Sequence, residues 1–331
     1  MSVVSASWAT VLAAAGHDVT TVAGRGPVDR LVPALAWSPD GGPAPTLLPD
    51  PDQVDAALEG ADLVVVENLC SLPLNPRASA VVASVLRGRP ALLHHFDLPW
   101  QRARFAGIAG WPPDDPGWAH VTINDLSRHE LARRGVAART IRCGIDVHAR
   151  AGDRTATRRA LGVDHGDRLV LHPVRAIPRK DVPAAVALAE ALGATYWLTG
   201  PAEEGYGPTL AGVLAEAACP TIHRRAPSIA DAYAACDAVL LPSRWEGFGN
   251  PIAEAAVHRR PIAVGRYPAA AELAELGFRW FPPDDAGPLE AFLDAPDEDL
   301  HDVNAALVRT HLSLERVGTE LTALLRERWG L

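Results

Sequence analysis

Lysine is all but absent from this chain. Of 31 basic residues, Lys180 alone is a lysine and the rest are arginines. An arginine-rich genome produces such a ratio, yet it leaves one lysine to explain. A compact ammonium on a flexible stem does not interchange with a planar guanidinium, so Lys180 is a site candidate before any motif is considered. Cysteine is scarce too. Cys70, Cys143, Cys219 and Cys236 show neither a C-x-x-C nor a disulfide-like spacing, the pattern of reduced thiols in a cytoplasmic protein. No apolar run approaches the ~20 residues that span a bilayer, which leaves only peripheral membrane contact open. The opening MSVVSASWATVLAAAG lacks the basic stretch of a signal peptide. Excess positive charge is missing as well: the net charge of −9 argues against nonspecific nucleic-acid binding. There is no short-period repeat and no low-complexity tract beyond an alanine and arginine bias.

What remains is 331 residues, 48% hydrophobic and 21% charged, enough for two globular domains. Residues 4–15 read as a helix and 18–23 as a strand. After a Pro/Gly-rich loop come helix 51–58, strand 61–66, helix 75–86, strand 90–96, strand 121–124, helix 125–134 and strand 140–143. The second half repeats the alternation. Strands are expected at 168–173, 195–199, near 221, at 238–241 and at 261–264, with helices at 182–192, near 210–218, at 229–236 and at 250–258. The remainder is helical, closing at 313–329. Alternating strands and helices build mostly parallel, doubly wound sheets.

The stretch LLPSRWEGFGNPIAEAAVHRRPIAVG, from Leu240 to Gly265, carries the strongest chemistry. An apolar strand stops at Pro242, a loop with Gly247 and Gly249 follows, and Asn250 reads as the N-cap of a helix with Pro251 at its first position. Glu246 therefore sits at the carboxyl end of a strand and Glu254 one turn into the next helix, at the crevice where open α/β sheets bind ligands. Two carboxylates around a glycine loop suit a polyhydroxylated ligand, because each accepts hydrogen bonds from several hydroxyls.

Glu246 and Glu254, seven residues between them and framed by PSRWEGFGNPIAEA, resemble the E-x7-E signature of retaining GT-B glycosyltransferases of the family 4 kind. The resemblance implies an α/β fold of two Rossmann-like domains facing a central cleft. It implies an acceptor-side domain at 1–143, a nucleotide-sugar-binding domain at 144–312, and a helix at 313–331 crossing back to the first. It further implies that Glu246 lies near the transferred sugar and Glu254 on the ribose, with Gly247, Phe248, Gly249 and Asn250 lining the donor. Arg175 and Lys180, five apart, are similar to the cations of the family's G-R-L-x-x-x-K-G segment, with Val174 and Asp181 in place of its glycines. They are expected on the diphosphate, where fixed cations favour the charge that builds on the leaving group. No metal is then needed. Gly200 resembles a loop residue near the base, and Cys143-Gly144-Ile145-Asp146 resembles the interdomain hinge, with Cys143 where asparagine is usual.

The first domain follows the family less closely. The family's H-x-H-D-x-x-W context here reads His94-His95-Phe96-Asp97-Leu98-Pro99-Trp100, which puts Phe96 where the sugar-contacting histidine is expected. His94, His95, Asp97 and Arg102 are the acceptor-side candidates. The chain also opens on a helix where the family opens on a buried strand. Either the natural start lies upstream, or the first domain lacks its first strand and is the less stable of the two. The implied activity is transfer of a sugar from a nucleotide-diphosphate sugar to a small-molecule or glycan acceptor, with retention. The alternatives are a silent nucleotide-sugar-binding protein, or an epimerase or phosphorylase on the same fold.

Overall fold

The computed structural model describes residues 3–36, 48–148 and 150–331. Much of the Pro/Gly-rich loop expected after residue 23, and part of the expected hinge at 144–153, lie outside the described residues. The chain divides into two compact units, Met1–Gly144 with Leu314–Leu331, and Ile145–Ser313.

In the first unit, α1 (Val3–Ala14) leads to the short strands β1 (Val22–Ala23) and β2 (Arg30–Leu31), then α2 (Pro51–Ala57), β3 (Val64–Glu67), α3 (Pro76–Leu86), β4 (Ala91–His95), β5 (Trp118–Thr122), α4 (Asp125–Ala132) and β6 (Ala138–Thr140). Strands β3-β4-β5-β6 form a parallel sheet in that order, and among the described residues β1 pairs with β2 alone. The strand expected at 121–124 begins three residues earlier, because Trp118 and His120 point into the core and Asn124 is already the cap of α4.

The two faces of this sheet bury different sets of side chains. Ala91, Leu93 and Trp118 pack under Val54 of α2 and Val82 and Leu86 of α3, while Leu92, Val121 and Ile141 pack on the other side against Trp8 and Val11 of α1. That second layer is completed by Val317, Leu321 and Leu325 of a helix from the far end of the sequence. Period-two alternation along β4 makes this division possible.

The second unit runs α5 (Arg154–Leu161), β7 (Leu169–His172), α6 (Val182–Ala191), β8 (Thr195–Leu198), α7 (Gly207–Glu216), β9 (Thr221–His223), α8 (Ile229–Ala235), β10 (Ala238–Leu241), α9 (Asn250–Val257), β11 (Ile262–Val264), α10 (Pro268–Glu275), α11 (Gly287–Asp294) and α12 (Glu298–His311). Helix α13 (Leu314–Trp329) then belongs to the first unit. The parallel sheet has the order β11-β10-β7-β8-β9. Its central strands are buried on both faces, so Leu169–His172 and Ala238–Leu241 read as unbroken buried runs. The strand order reverses between β7 and β10. The loops leaving their carboxyl ends stand at this switch point, which is where such sheets take ligands.

Helix α5 has no counterpart among the sequence expectations. It offers only Ala156, Ala160 and Leu161 as an apolar face. Polar anchors hold it instead: Asp153 caps its start, Gly162 ends it in the left-handed conformation, and Arg158 is buried among the carbonyls of Ala235, Asp164 and Asp167.

Candidate functional site

The loop after β7 closes with a short 3-10 turn, Pro178–Lys180, and the loop after β10 carries Glu246. At the switch point these loops meet. Lys180 Nζ donates to Glu246 Oε1, and Arg179 Nη1 donates to Glu246 Oε2 at 2.9 Å and to the carbonyl of Trp245 at 2.7 Å. Lys180 is 8% and Glu246 7% exposed, so this is a buried carboxylate held between two cations rather than a solvated loop charge.

Burial alone would raise the Glu246 pKa. Lys180 and Arg179, with a smaller push from the Ser243 hydroxyl, outweigh it and hold the carboxyl below its usual range. Burial likewise draws Lys180 down to about 8, against the pull of Glu246. The pair is thus charged at neutral pH and begins to lose the lysine proton about one unit above it.

Around the cluster stand polar atoms without a hydrogen-bond partner among the described residues: His172 Nε2, Arg179 Nε, Trp245 Nε1 and Tyr267 Oη. Each buried polar atom left unpaired costs about 1–3 kcal/mol, and their concentration around one ion pair suits a polar ligand chemically. His172 ends β7, accepts or donates at Nδ1 with Tyr196 Oη at 2.8 Å, and is drawn down to about 3 by burial and then by Lys180.

Gly249, not Asn250, caps α9. Its φ of +96° lies in the left-handed region, and a Cβ there would stand 2.5 Å from Tyr267 Oη. Asn250 becomes the first helical residue. Asparagine is a good cap in general, but only glycine fits both this backbone and the tyrosine. Phe248 is buried beside it. Glu254, on the first turns of α9, accepts from Tyr233 Oη at 2.7 Å, and burial raises its pKa while the tyrosine tempers the shift.

Arg175 stands apart from this cluster. Its side chain is 43% exposed and pairs with Glu203 at 2.6 Å. The loop therefore brings Arg179, which the spacing argument passed over, onto the same carboxylate as Lys180. Gly200 packs its backbone against Val174, where a Cβ would come within 2.2 Å of the carbonyl oxygen.

In the first unit His94 and His95 are both fully buried and face opposite sides of the sheet. His94 stacks on Trp8 with ring centroids 3.9 Å apart, meets Phe96 edge-on, and places Nδ1 3.1 Å from Glu67. His95 belongs to a buried relay. Its Nδ1 lies 2.6 Å from Ser71 Oγ, its Nε2 2.9 Å from His120 Nδ1, and His120 Nε2 2.9 Å from Asp114 Oδ1. With both rings neutral every proton is placed in one direction, from Ser71 to His95 to His120 to Asp114. Asp97 and Arg102 pair with each other at 2.9 Å.

Burial first, then neighbouring imidazoles, hold His95 well below 6.5; burial lowers His120 against the pull of Asp114. A depressed histidine contributes its full stability above about pH 6.5. Below that the unfolded chain takes up protons the folded one refuses, at up to ~1.4 kcal/mol per pH unit per ring. In an NMR titration both rings should titrate below the ordinary imidazole midpoint of about 6.5. A midpoint near 6.5 for either would contradict the relay.

Among the described residues no group of three or more His, Cys, Asp or Glu side chains is placed to hold a metal ion, and no helix is long and apolar enough to cross a membrane.

Residues 180–297 match the family described as glycosyl transferases group 1. The chain is 24% identical over 276 residues to mannosylglucosylglycerate synthase of Thermotoga maritima, covering 69% of this chain and 64% of that protein. The enzyme of the same name from Petrotoga mobilis is 25% identical over 270 residues, covering 66% and 62%. The chain thus spans somewhat under two thirds of the length of these relatives. Among solved structures it is similar to sucrose-phosphate synthase from Thermosynechococcus elongatus, with a TM-score of 0.72 at 18% identity over 96% of this chain and 91% of that one. It is also similar to HepE of Anabaena in complex with UDP and glucose, with a TM-score of 0.66 at 19% identity over 84% and 81%. The fold is the GT-B fold, two Rossmann-like units with parallel sheets. The matched segment, residues 180–297, lies in the second unit and includes Lys180, Glu246 and Glu254.

Proposed function

We propose that this protein is a retaining glycosyltransferase of the family 4 kind, which moves a sugar from a nucleotide-diphosphate sugar to an acceptor hydroxyl. The observation that carries the reading is the buried Lys180–Glu246–Arg179 cluster at the switch point, ringed by unpartnered polar atoms. The names of the relatives and the UDP and glucose bound by HepE point to the same donor chemistry. The bond from the anomeric carbon to the diphosphate oxygen breaks, and a bond to the acceptor oxygen forms on the same face. The acceptor proton passes to the departing phosphate, so no protein nucleophile is assigned.

Lys180 and Arg179, with Arg175 at the rim, meet the diphosphate. Positive charge fixed beside a leaving group lowers the barrier because charge develops there as the bond breaks. The reading needs no metal ion. Glu246 addresses the transferred sugar and Glu254 the ribose, with Asp97 and Arg102 on the acceptor side. Retention rests on the likeness of the E-x7-E frame, and a cytoplasmic location on the unpaired thiols of Cys70, Cys143 and Cys236. Incubation with UDP-, GDP- and ADP-sugars followed by mass spectrometry tests the activity. Release of nucleoside diphosphate with a glycosylated or hydrolysed product is expected. Binding without turnover would replace this reading with that of a silent nucleotide-sugar-binding protein.

A further inference from the structure

The two carboxylates of the site are held by opposite means. Glu246 is gripped by two cations, whereas Glu254 has one partner, the neutral hydroxyl of Tyr233 on Oε2 at 2.7 Å. Among the described residues no Lys, Arg or His pairs with Glu254, and its Oε1 receives no hydrogen bond. Tyr233 is itself immobilised. It is 1% exposed, its ring stacks on His258 at 5.1 Å and 15°, and its carbonyl accepts from Arg260 Nε at 2.7 Å. The phenol comes from α8 and the carboxylate from α9, so the contact fixes a side chain across two helices.

We propose that Tyr233 is the positioning residue of the ribose site: its hydroxyl pins one oxygen of Glu254 and leaves the other as the acceptor for a vicinal diol. The inference rests on the nucleotide reading given above. An ionised carboxylate has about four acceptor positions. An arginine would take two of them and fix the plane, and a lysine would draw off charge. A single phenol donor restrains the rotamer and leaves the acceptor capacity facing the ligand. Tyr233 also favours the ionised form of Glu254. Burial raises the carboxyl pKa and the phenol opposes that rise, so removing the hydroxyl moves the acid limit of diol binding to higher pH.

The test is calorimetry of UDP, GDP and ADP, and of their 2′,3′-dideoxy counterparts, with the intact chain and with Tyr233→Phe. Loss of one hydrogen bond to a charged group should weaken the ribonucleotide about tenfold, with the loss growing as the pH falls. The dideoxy compound, which has no diol to place, should bind both proteins alike. Glu254→Gln supplies the reference, since it should show the same preference lost by a larger factor. Equal weakening of ribo- and dideoxynucleotide in Tyr233→Phe would reveal a merely structural tyrosine and overturn the proposal. So would unchanged affinity for both. If the unsubstituted protein binds none of the three ribonucleotides, the donor reading itself fails.

Discussion

Replacing Lys180 with methionine is expected to lower kcat/KM by about 10²–10³-fold, the loss of one preorganised donor to developing charge, near 3 kcal/mol. Methionine keeps the length and apolar stem of lysine and removes the ammonium that meets Glu246. The fold should survive, because Arg179 still pairs with Glu246 at 2.9 Å and the carboxylate is not stranded. A thermal melt within a few degrees of the parent would confirm that activity and stability have been separated. Lys180→Arg should not rescue, since a planar guanidinium does not fit the pocket of a buried ammonium. Arg175→Met is the comparison: its side chain is 43% exposed and engaged with Glu203, so it should cost distinctly less. The parent's kcat/KM should also fall on the alkaline side with a limb near 8, the pKa to which burial draws Lys180. That limb should be absent from the methionine variant. Parental turnover in Lys180→Met would remove the lysine from the mechanism.

The parts of this site that were legible in the sequence are those fixed by local chemistry. Glu246 and Glu254 could be placed on a loop and a helix because Pro242, the glycines and Pro251 punctuate the chain between them. The lone lysine drew notice by composition alone. Arg179 was not legible, because one arginine in an arginine-rich chain looks like another until the 3-10 turn folds it onto Glu246. Helix α5 escapes a sequence reading for a related reason: Arg154 and Arg158 hold it through carbonyls and Asp237 more than 70 residues away, and its apolar face is only Ala156, Ala160 and Leu161. The relay joins Ser71, in the turn after β3, to His95 of β4 and His120 of β5, at separations of 24 and 25 positions. Only strand order and register bring them together. Tyr233 and Tyr267 likewise acquire their meaning from partners supplied by other elements. The fold class was the easier inference, since alternation of elements is a local property repeated many times.

Glu246 and Glu254 should separate catalysis from nucleotide binding. Glu254→Ala is expected to weaken UDP, GDP or ADP, whichever is the cognate nucleotide, by about tenfold or more, because it removes the charged acceptor of the ribose hydroxyls. Glu246→Gln should reduce sugar transfer by about 10²-fold or more, and should leave bare-nucleotide affinity equal to the parent's or tighter. The second outcome follows from the geometry. Both oxygens of Glu246 are taken up by Lys180 and Arg179, so the carboxylate competes with a diphosphate for the same two cations. Neutralising it frees them. The exchange has a cost, since the buried Lys180 and the half-buried Arg179 then lack their anion, and breaking a buried pair typically destabilises by about 3–5 kcal/mol. Added nucleoside diphosphate should restore that loss by mass action, giving Glu246→Gln a larger ligand-induced rise in melting temperature than the parent. Calorimetry and thermal melts with the bare nucleotide measure both effects. Equal losses of nucleotide affinity in the two variants would show that the carboxylates act together on one part of the ligand, and the division proposed for them would fall.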